Sequence, residues 1–580
     1  MPSFFFHSRS RFLAAITLGL AAIFIGRLFQ MQVIDHGHYQ EIAQSEQVKK
    51  WEVPATRGEI YAMDEGTVKK IVLNETTYTL WVDPSVIIDR DAVLGKIQKV
   101  AGGSMVDSAA DLIAKSKTQY QVLAHNLTYS QANKIKAENL YGVGFEATTK
   151  RVYPEGQLAS QVLGFVNASG EGQYGIEGQL DSDLAGKPGL LKTVTDVRDV
   201  PLTIGKDNIR IAPENGENIA LTLDENIQHE AEKILPAQLK KIGASYGSIL
   251  VMNPNNGHVM AMANYPTFNP NNIAKVKDVS VFNNPIISDP YEPASVMKTM
   301  TMATGIDQGV MSPTSTYNNT GQITIDGFTI NNASKLALIS GKINMQTVLT
   351  WSLNTGTVTM AQWLGGGTIN QHARDTLYDY YHNKFRMGEL TGIELQGESP
   401  GIVITPNGSP APALRYANMT FGQGLDVTSL QVASAFSSVV NGGIYHRPTI
   451  VAGTIDSDGN LRRSPADSGK RVIKSTTSAT MVKMLHNARQ NFGYNALDPS
   501  GYNIGGKTGT AQAIVNGKYT FDTTTGTYVG YGATPGQKPA YVILVHAGKP
   551  GVQIGSELVV NIFNPMSNYM INYLKLAPKG

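Results

Sequence analysis

Residues 12–26, FLAAITLGLAAIFIG, carry no charge, and Arg9 and Arg11 precede them. A stretch this apolar belongs in a membrane, a signal sequence or a deep core, so it decides first how the rest of the chain is deployed. Its 15 residues reach only ~22 Å as a helix, short of a hydrocarbon core ~30 Å thick. The apolar pattern continues past Arg27 as Leu28, Phe29, Met31 and Val33. With Arg27 snorkelling or facing a partner, residues 12–33 span the bilayer. No small-residue cleavage site follows, which favours an uncleaved anchor over a removed signal peptide. The basic residues before it hold residues 1–11 in the cytoplasm and send the remaining chain outside. Arg27, Gln30 and Met31 share one helix face, either a snorkelling stripe or a contact for another membrane protein.

The rest is too long for one ordinary domain. With 42% hydrophobic and 16% charged residues it is globular. Lys and Arg (48) nearly balance Asp and Glu (46), so there is no electrostatic footprint for nucleic acid. There is no cysteine, which removes disulfides, thiolate metal sites and thiol nucleophiles together. The 11 histidines do not cluster at metal-ligand spacing, so neither metal nor cofactor is expected.

A polar helix is predicted over residues 39–49, strand texture at 76–83, helices at 107–117 and 129–138, and glycine-rich turns at 164–189. Gly170–Gly175 spells G-x-G-x-x-G, but loop residues precede it and no βαβ series surrounds it, so it reads as a turn. Near residue 220 the texture changes. Residues 219–223 read as a strand, Asp224 as the N-cap of a helix over 225–239, and 247–251 and 258–263 as buried strands joined by a turn. The division drawn is a β-rich segment, 34–220, followed by an α+β domain, 221–575.

Ser295-Val296-Met297-Lys298 is the one place where a lysine stands three residues after a serine. Pro293 suggests a helix start, and on a helix positions i and i+3 share a face, so the Lys298 amine can reach the Ser295 hydroxyl. A serine hydroxyl needs such a base, and burial or a nearby cation lowers the lysine pKa enough to supply one. Ser352-Leu353-Asn354 follows 57 residues after Ser295, and Lys507-Thr508-Gly509-Thr510 lies 153 residues beyond Asn354. The latter reads as an edge strand offering a cation and a hydroxyl to a carboxylate. Gly509, lacking a side chain, lets a peptide substrate approach the sheet edge. Ser352 is suited to relaying a proton and Asn354 to holding a substrate amide.

With these motifs in this order the chain resembles a penicillin-binding transpeptidase. Thr56–Tyr61, Arg151-Val152-Tyr153-Pro154 and Gly175-Ile176-Glu177-Gly178 resemble pedestal elements of the class B members. Tyr291-Glu292-Pro293-Ala294-Ser295 is similar to the E-P-G-S of the division type, with alanine for the usual glycine. The resemblance implies an α+β multidomain protein: a transmembrane helix, an elongated β-rich pedestal of the dimerisation type (34–220), and a serine β-lactamase-like transpeptidase domain with an antiparallel sheet flanked by helices (221–575). It implies a peptidoglycan D,D-transpeptidase, single-pass in the bacterial cytoplasmic membrane and working outside it, in septal wall synthesis. Ser295, Lys298, Ser352, Asn354 and Lys507 would be catalytic, Thr508, Gly509 and Thr510 substrate-binding, and the backbone N–H groups of Ser295 and Thr510 the oxyanion hole. Stem peptides and β-lactams would be its ligands, with a polytopic glycosyltransferase and division proteins as partners. An elongation-type transpeptidase, a D,D-carboxypeptidase, a β-lactamase and a silent division scaffold are the alternatives. No E-x-x-L-N element for β-lactam deacylation is found, and a silent scaffold would have lost one of the three motifs.

Overall fold

An α-helix, Phe4–Phe29, continues through a π-helical turn, Gln30–Ile34. Its 26-residue segment Arg9–Ile34 is unburied, and is long and apolar enough to cross a membrane. The Arg27 guanidinium donates to Gln30 Oε1 at 2.8 Å, one turn on, so the polar pair on this helix satisfies itself. This computed structural model describes residues 4–39, 48–194, 209–333, 339–408, 410–515 and 518–579. They form two units, residues 1–57 with 185–216, and residues 58–184 with 217–580. In the first, Val48–Val53 pairs antiparallel with Gly189–Val194, which pairs with Ile209–Ile211. Val48 and Lys49 are therefore strand where helix is predicted; residues 40–47 lie outside the described residues.

The second unit opens with a mixed seven-stranded sheet. Asn218–Asp224, the strand predicted at 219–223, runs parallel to Ile60–Asp64 and antiparallel to Val451–Ile455, joining stretches distant in the chain. The long strand Thr67–Val82 pairs with both Gln121–Leu127 and Val143–Val152. The helix expected over 107–117 is only Ala109–Ile113. That expected over 129–138 is Tyr129–Ala137, started by a Thr128–Gln131 capping box. The region read as turns, 164–189, also holds two short helices, Gly175–Gln179 and Asp181–Ala185. Three of the pedestal-like elements converge on one buried ion pair. Arg151 Nε meets Glu177 Oε1 at 2.6 Å, and Arg151 Nη1 donates to Gly58 O at 2.7 Å and Asn74 Oδ1 at 2.9 Å.

In the body that carries the motifs, β1 (Tyr246–Met252), β2 (Val259–Tyr265), β3 (Asn503–Val515), β4 (Lys518–Ala533) and β5 (Tyr541–Gly548) form an antiparallel sheet of order β2-β1-β5-β4-β3. Its helices include α1 (Glu225–Ile242), α2 (Lys298–Asp307), α3 (Met345–Trp351), α4 (Asn354–Leu364), α5 (Ser429–Val440), α6 (Ser475–Phe492) and α7 (Ser556–Tyr573). Asp224 caps α1, its carboxylate accepting from the N–H of Asn226 and Ile227. Strand residues alternate between two cores, as a period of two demands. Ile249, Val251, Ile543 and Val545 pack with α1 and α7; Leu250, Met252, Val542 and Leu544 join the core built on α2, α4, α5 and α6. Each such side chain, fully buried, contributes ~1.5–3 kcal/mol. Helix α5 is buried at every position, and α2 from Lys298 to Gly305, so Lys298 begins a helix held inside the core.

Candidate active site

Ser295 lies in a 3₁₀ turn, Ala294–Met297, and not in the α-helix expected there; α2 starts at Lys298. The cause is Ala294, at φ 50, in the left-handed region that an α-helix does not visit. Its N–H donates to Gly422 O at 3.0 Å, and a Cβ on Gly422 would lie 2.0 Å from Ala294 O, so the turn is pressed onto glycine backbone. A 3₁₀ turn still brings i and i+3 into line, so Ser295 and Lys298 share a face.

The Lys298 amine, fully buried, is held from the other side of the cleft. It donates to Ser352 O at 2.5 Å and Asn354 Oδ1 at 2.8 Å, and lies 3.2 Å from Ser352 Oγ. The expected Ser295–Lys298 hydrogen bond is not made: among the described residues the Ser295 hydroxyl has no partner, because two stronger carbonyl acceptors draw the amine away. Ser352 presents its carbonyl from a left-handed C-cap of α3, φ 58, a strained conformation of the kind concentrated at functional sites. Both carbonyl partners of Lys298 only accept. The third direction, toward Ser352 Oγ, lets the amine donate when charged or accept a proton when neutral.

Lys507 reaches the same hydroxyl. Its amine lies 3.0 Å from Ser352 Oγ and 3.2 Å from both Thr508 O and Thr508 Oγ1, so one serine hydroxyl bridges two buried amines. Burial, then the Lys507 charge, hold Lys298 well below the usual lysine range. Burial pushes Lys507 down to about 7. The unfolded chain therefore binds more protons than the folded one between about pH 7 and 10.5, and stability rises with pH across that window. Below it the penalty of a desolvated amine is in full force. Replacing Lys507 with Met is expected to raise urea stability by ~1–2 kcal/mol at pH 6, a gain that shrinks toward pH 10. Paired urea titrations at the two pH values check it.

The motif strand β3 is the sheet's edge, as its sequence suggests. Gly509 has a different reason to be glycine from the one expected: a Cβ there would lie 2.7 Å from Pro293 O and 2.8 Å from Val296 Cγ2. Its missing side chain seats the serine turn against the strand. Gly509→Ala is expected to displace one from the other and slow acylation by a fluorescent penicillin about 100-fold, measured by stopped flow. The Thr510 hydroxyl is also taken: it lies 3.0 Å from Ser556 Oγ and accepts from Ser556 N at 3.1 Å, tying β3 to the start of α7. Its proton is thereby committed, leaving one lone pair and the backbone for a ligand.

Sequence reasoning missed the residues that hold these groups. Asn354 Nδ2 donates to Asn331 O at 2.9 Å, which turns Oδ1 toward Lys298. Thr355 is gripped by Asn332, Asn319 and Tyr317 at 2.9–3.2 Å. Behind β3, Arg489 binds both Asp498 oxygens, Tyr528 Oη and Asn564 Oδ1 at 2.6–2.8 Å, and Tyr528 stands opposite Thr508. No local pattern marks these residues; their partners lie 9 to 75 positions away.

A buried lysine beside a serine turn, a second amine on the sheet edge and a hydroxyl between them define a serine acyltransferase cleft. The profile of the penicillin binding protein transpeptidase domain matches residues 247–568, and that of the penicillin-binding protein dimerisation domain residues 52–221. Stage V sporulation protein D of Bacillus subtilis is 28% identical over 98% of this chain and 87% of its own. Peptidoglycan D,D-transpeptidase FtsI of Escherichia coli is 26% identical over 97% and 91%. The crystal structure of penicillin binding protein 3 from Mycobacterium tuberculosis, complexed with aztreonam, aligns with a TM-score of 0.68 at 25% identity, covering 91% of this chain and 98% of that one. The chain belongs to the penicillin-binding protein transpeptidase family, as a class B member and a serine-type peptidoglycan D,D-transpeptidase. Peptidoglycan is its substrate, and β-lactams bind it.

Proposed function

We propose that Ser295 is the nucleophile, Lys298 its base, Ser352 the proton relay and Lys507 with Thr508 the carboxylate site. The observation that carries this is the Ser352 hydroxyl bridging two buried amines beside the serine turn. Ser295 Oγ attacks the carbonyl between the two terminal D-alanines of a pentapeptide stem, and its proton passes to Lys298. The N–H groups of Ser295 and Thr510 take the oxyanion, each such donor supplying ~3 kcal/mol. The C–N bond breaks, and the leaving D-alanine amine collects a proton through Ser352, leaving an ester on Ser295. The amine of a neighbouring stem attacks that ester, forms the cross-link and returns a proton to the serine. Asn354 orients Lys298, its second N–H remaining for a substrate amide, and Gly509 keeps the strand against the turn. The substrate carboxylate raises the proton affinity of Lys507, and the charge so gained favours neutral, basic Lys298.

The purified protein, given a labelled pentapeptide stem and an amine acceptor, should release D-alanine and form the amide. Tetrapeptide alone would make it a carboxypeptidase, and many penicillin turnovers per minute a β-lactamase. In this reading residues 1–11 lie in the cytoplasm, 12–33 cross the membrane, and the pedestal (34–220) and transpeptidase domain (221–575) work outside. The E-P-A-S sequence at Glu292–Ser295 supports a septal role beside a polytopic glycosyltransferase and division proteins. Depletion should then give filaments; rounded cells would assign it to elongation.

A further inference from the structure

The row Gly509, Thr527, His546, Ser248, Asn264 crosses the sheet from β3 to β2, each residue directly opposite the next and so on one face. On this face, beyond the serine turn, lies a cavity of about 460 Å³ lined by Tyr246, Tyr265, Tyr291, Asp289, His546 and Ser429 among others. This is the size of a small-ligand site. None of Ser295, Lys298, Ser352 or Lys507 lines it, so it is separate from the acylation cleft. Three tyrosine rings and an imidazole form its walls, with Tyr291 at 4.4 Å and Tyr246 at 6.4 Å from His546, centroid to centroid. Asp289 is the sole carboxylate in the lining, which contains no lysine or arginine. Burial first, and then the Asp289 charge, raises the Tyr246 pKa. His546 does not oppose it: Nδ1 pairs with Thr527 Oγ1 at 2.9 Å and burial pushes the ring down to about 4, so it is neutral.

We infer that this cavity binds a small organic cation, an ammonium group on a short aliphatic chain, with Asp289 as counter-ion and the tyrosine faces as its walls. Electron-rich rings with one carboxylate and no competing cation favour an ammonium over an anion, and their neutral surroundings hold the aliphatic stem. Tyr291, four residues before Ser295, forms one wall and exchanges two backbone hydrogen bonds of 3.0 Å with Val427.

The test uses the full chain in detergent with Ser295 already acylated by penicillin, so that the cleft is closed. Calorimetric titration with Nα-acetyl-lysine methylamide should show one site, and Asp289→Asn or Tyr246→Ala should weaken it roughly tenfold or more. Asp289→Asn before acylation should take fluorescent penicillin at the wild-type rate, showing that the cleft is intact. The neutral isostere Nα-acetyl-norleucine methylamide should not bind. Equal binding of the isostere, binding of N-acetylglucosamine in place of the lysine derivative, binding indifferent to Asp289, or no binding would each overturn the inference.

Discussion

Ser295→Ala takes no label from a fluorescent penicillin at any time or concentration, while its unfolding curve overlays that of the wild type. The loss is complete because the atom that forms the ester is gone, and no neighbouring group substitutes for it: the Ser352 hydroxyl is committed to two amines. The fold is untouched because the Ser295 hydroxyl has no hydrogen-bond partner among the described residues. Removing it leaves no buried group unsatisfied, and such substitutions stay within ~0.5 kcal/mol. Gel fluorescence after labelling, with thermal unfolding alongside, makes the measurement. Wild-type labelling of the alanine protein would refute Ser295 as the nucleophile.

Lys298→Met slows acylation ~10²–10⁴-fold, the usual contribution of a positioned base. Lys298→Arg does not rescue it, because a guanidinium stays protonated and cannot accept the serine proton. The pH profile separates this role from a packing role. In the wild type, acylation climbs with pH as Lys298 loses its proton, through an ionisation well below the ordinary 10.5. In Lys298→Met that limb disappears and the residual rate is flat on the acid side. Methionine keeps the volume and removes the desolvated charge, which offsets the loss of the donor to Ser352 O and Asn354 Oδ1, most fully at low pH. Stopped-flow acylation from pH 5 to 9 reads both. A variant within tenfold of wild type, its acid limb intact, would place the base elsewhere.

Much of this molecule is readable from its residues because the deciding signals are local. The 12–33 run, the Asp224 cap, the paired strands on either side of residue 255 and the edge character of Lys507–Thr510 each depend on near neighbours in the chain. The misreadings arise where a distant contact overrides the local signal. Pro293 promises a helix, but contact with Gly422 holds Ala294 left-handed and puts Ser295 in a 3₁₀ turn. Spacing predicts that Lys298 meets Ser295, but the Ser352 carbonyl, 54 residues on, takes the amine instead. The helix predicted across residue 49 meets a strand partner in Gly189–Val194.

The sequence by itself determined which groups this protein has for acyl transfer, their order along the chain and the elements that carry them, since these follow from composition, period and spacing. Only the tertiary structure decided their protonation and their partners. The lowered proton affinity of Lys298 comes from burial and from a second amine brought 3.0 Å from the same hydroxyl, and both conditions are set by chain segments more than 50 residues apart that meet only when the core closes.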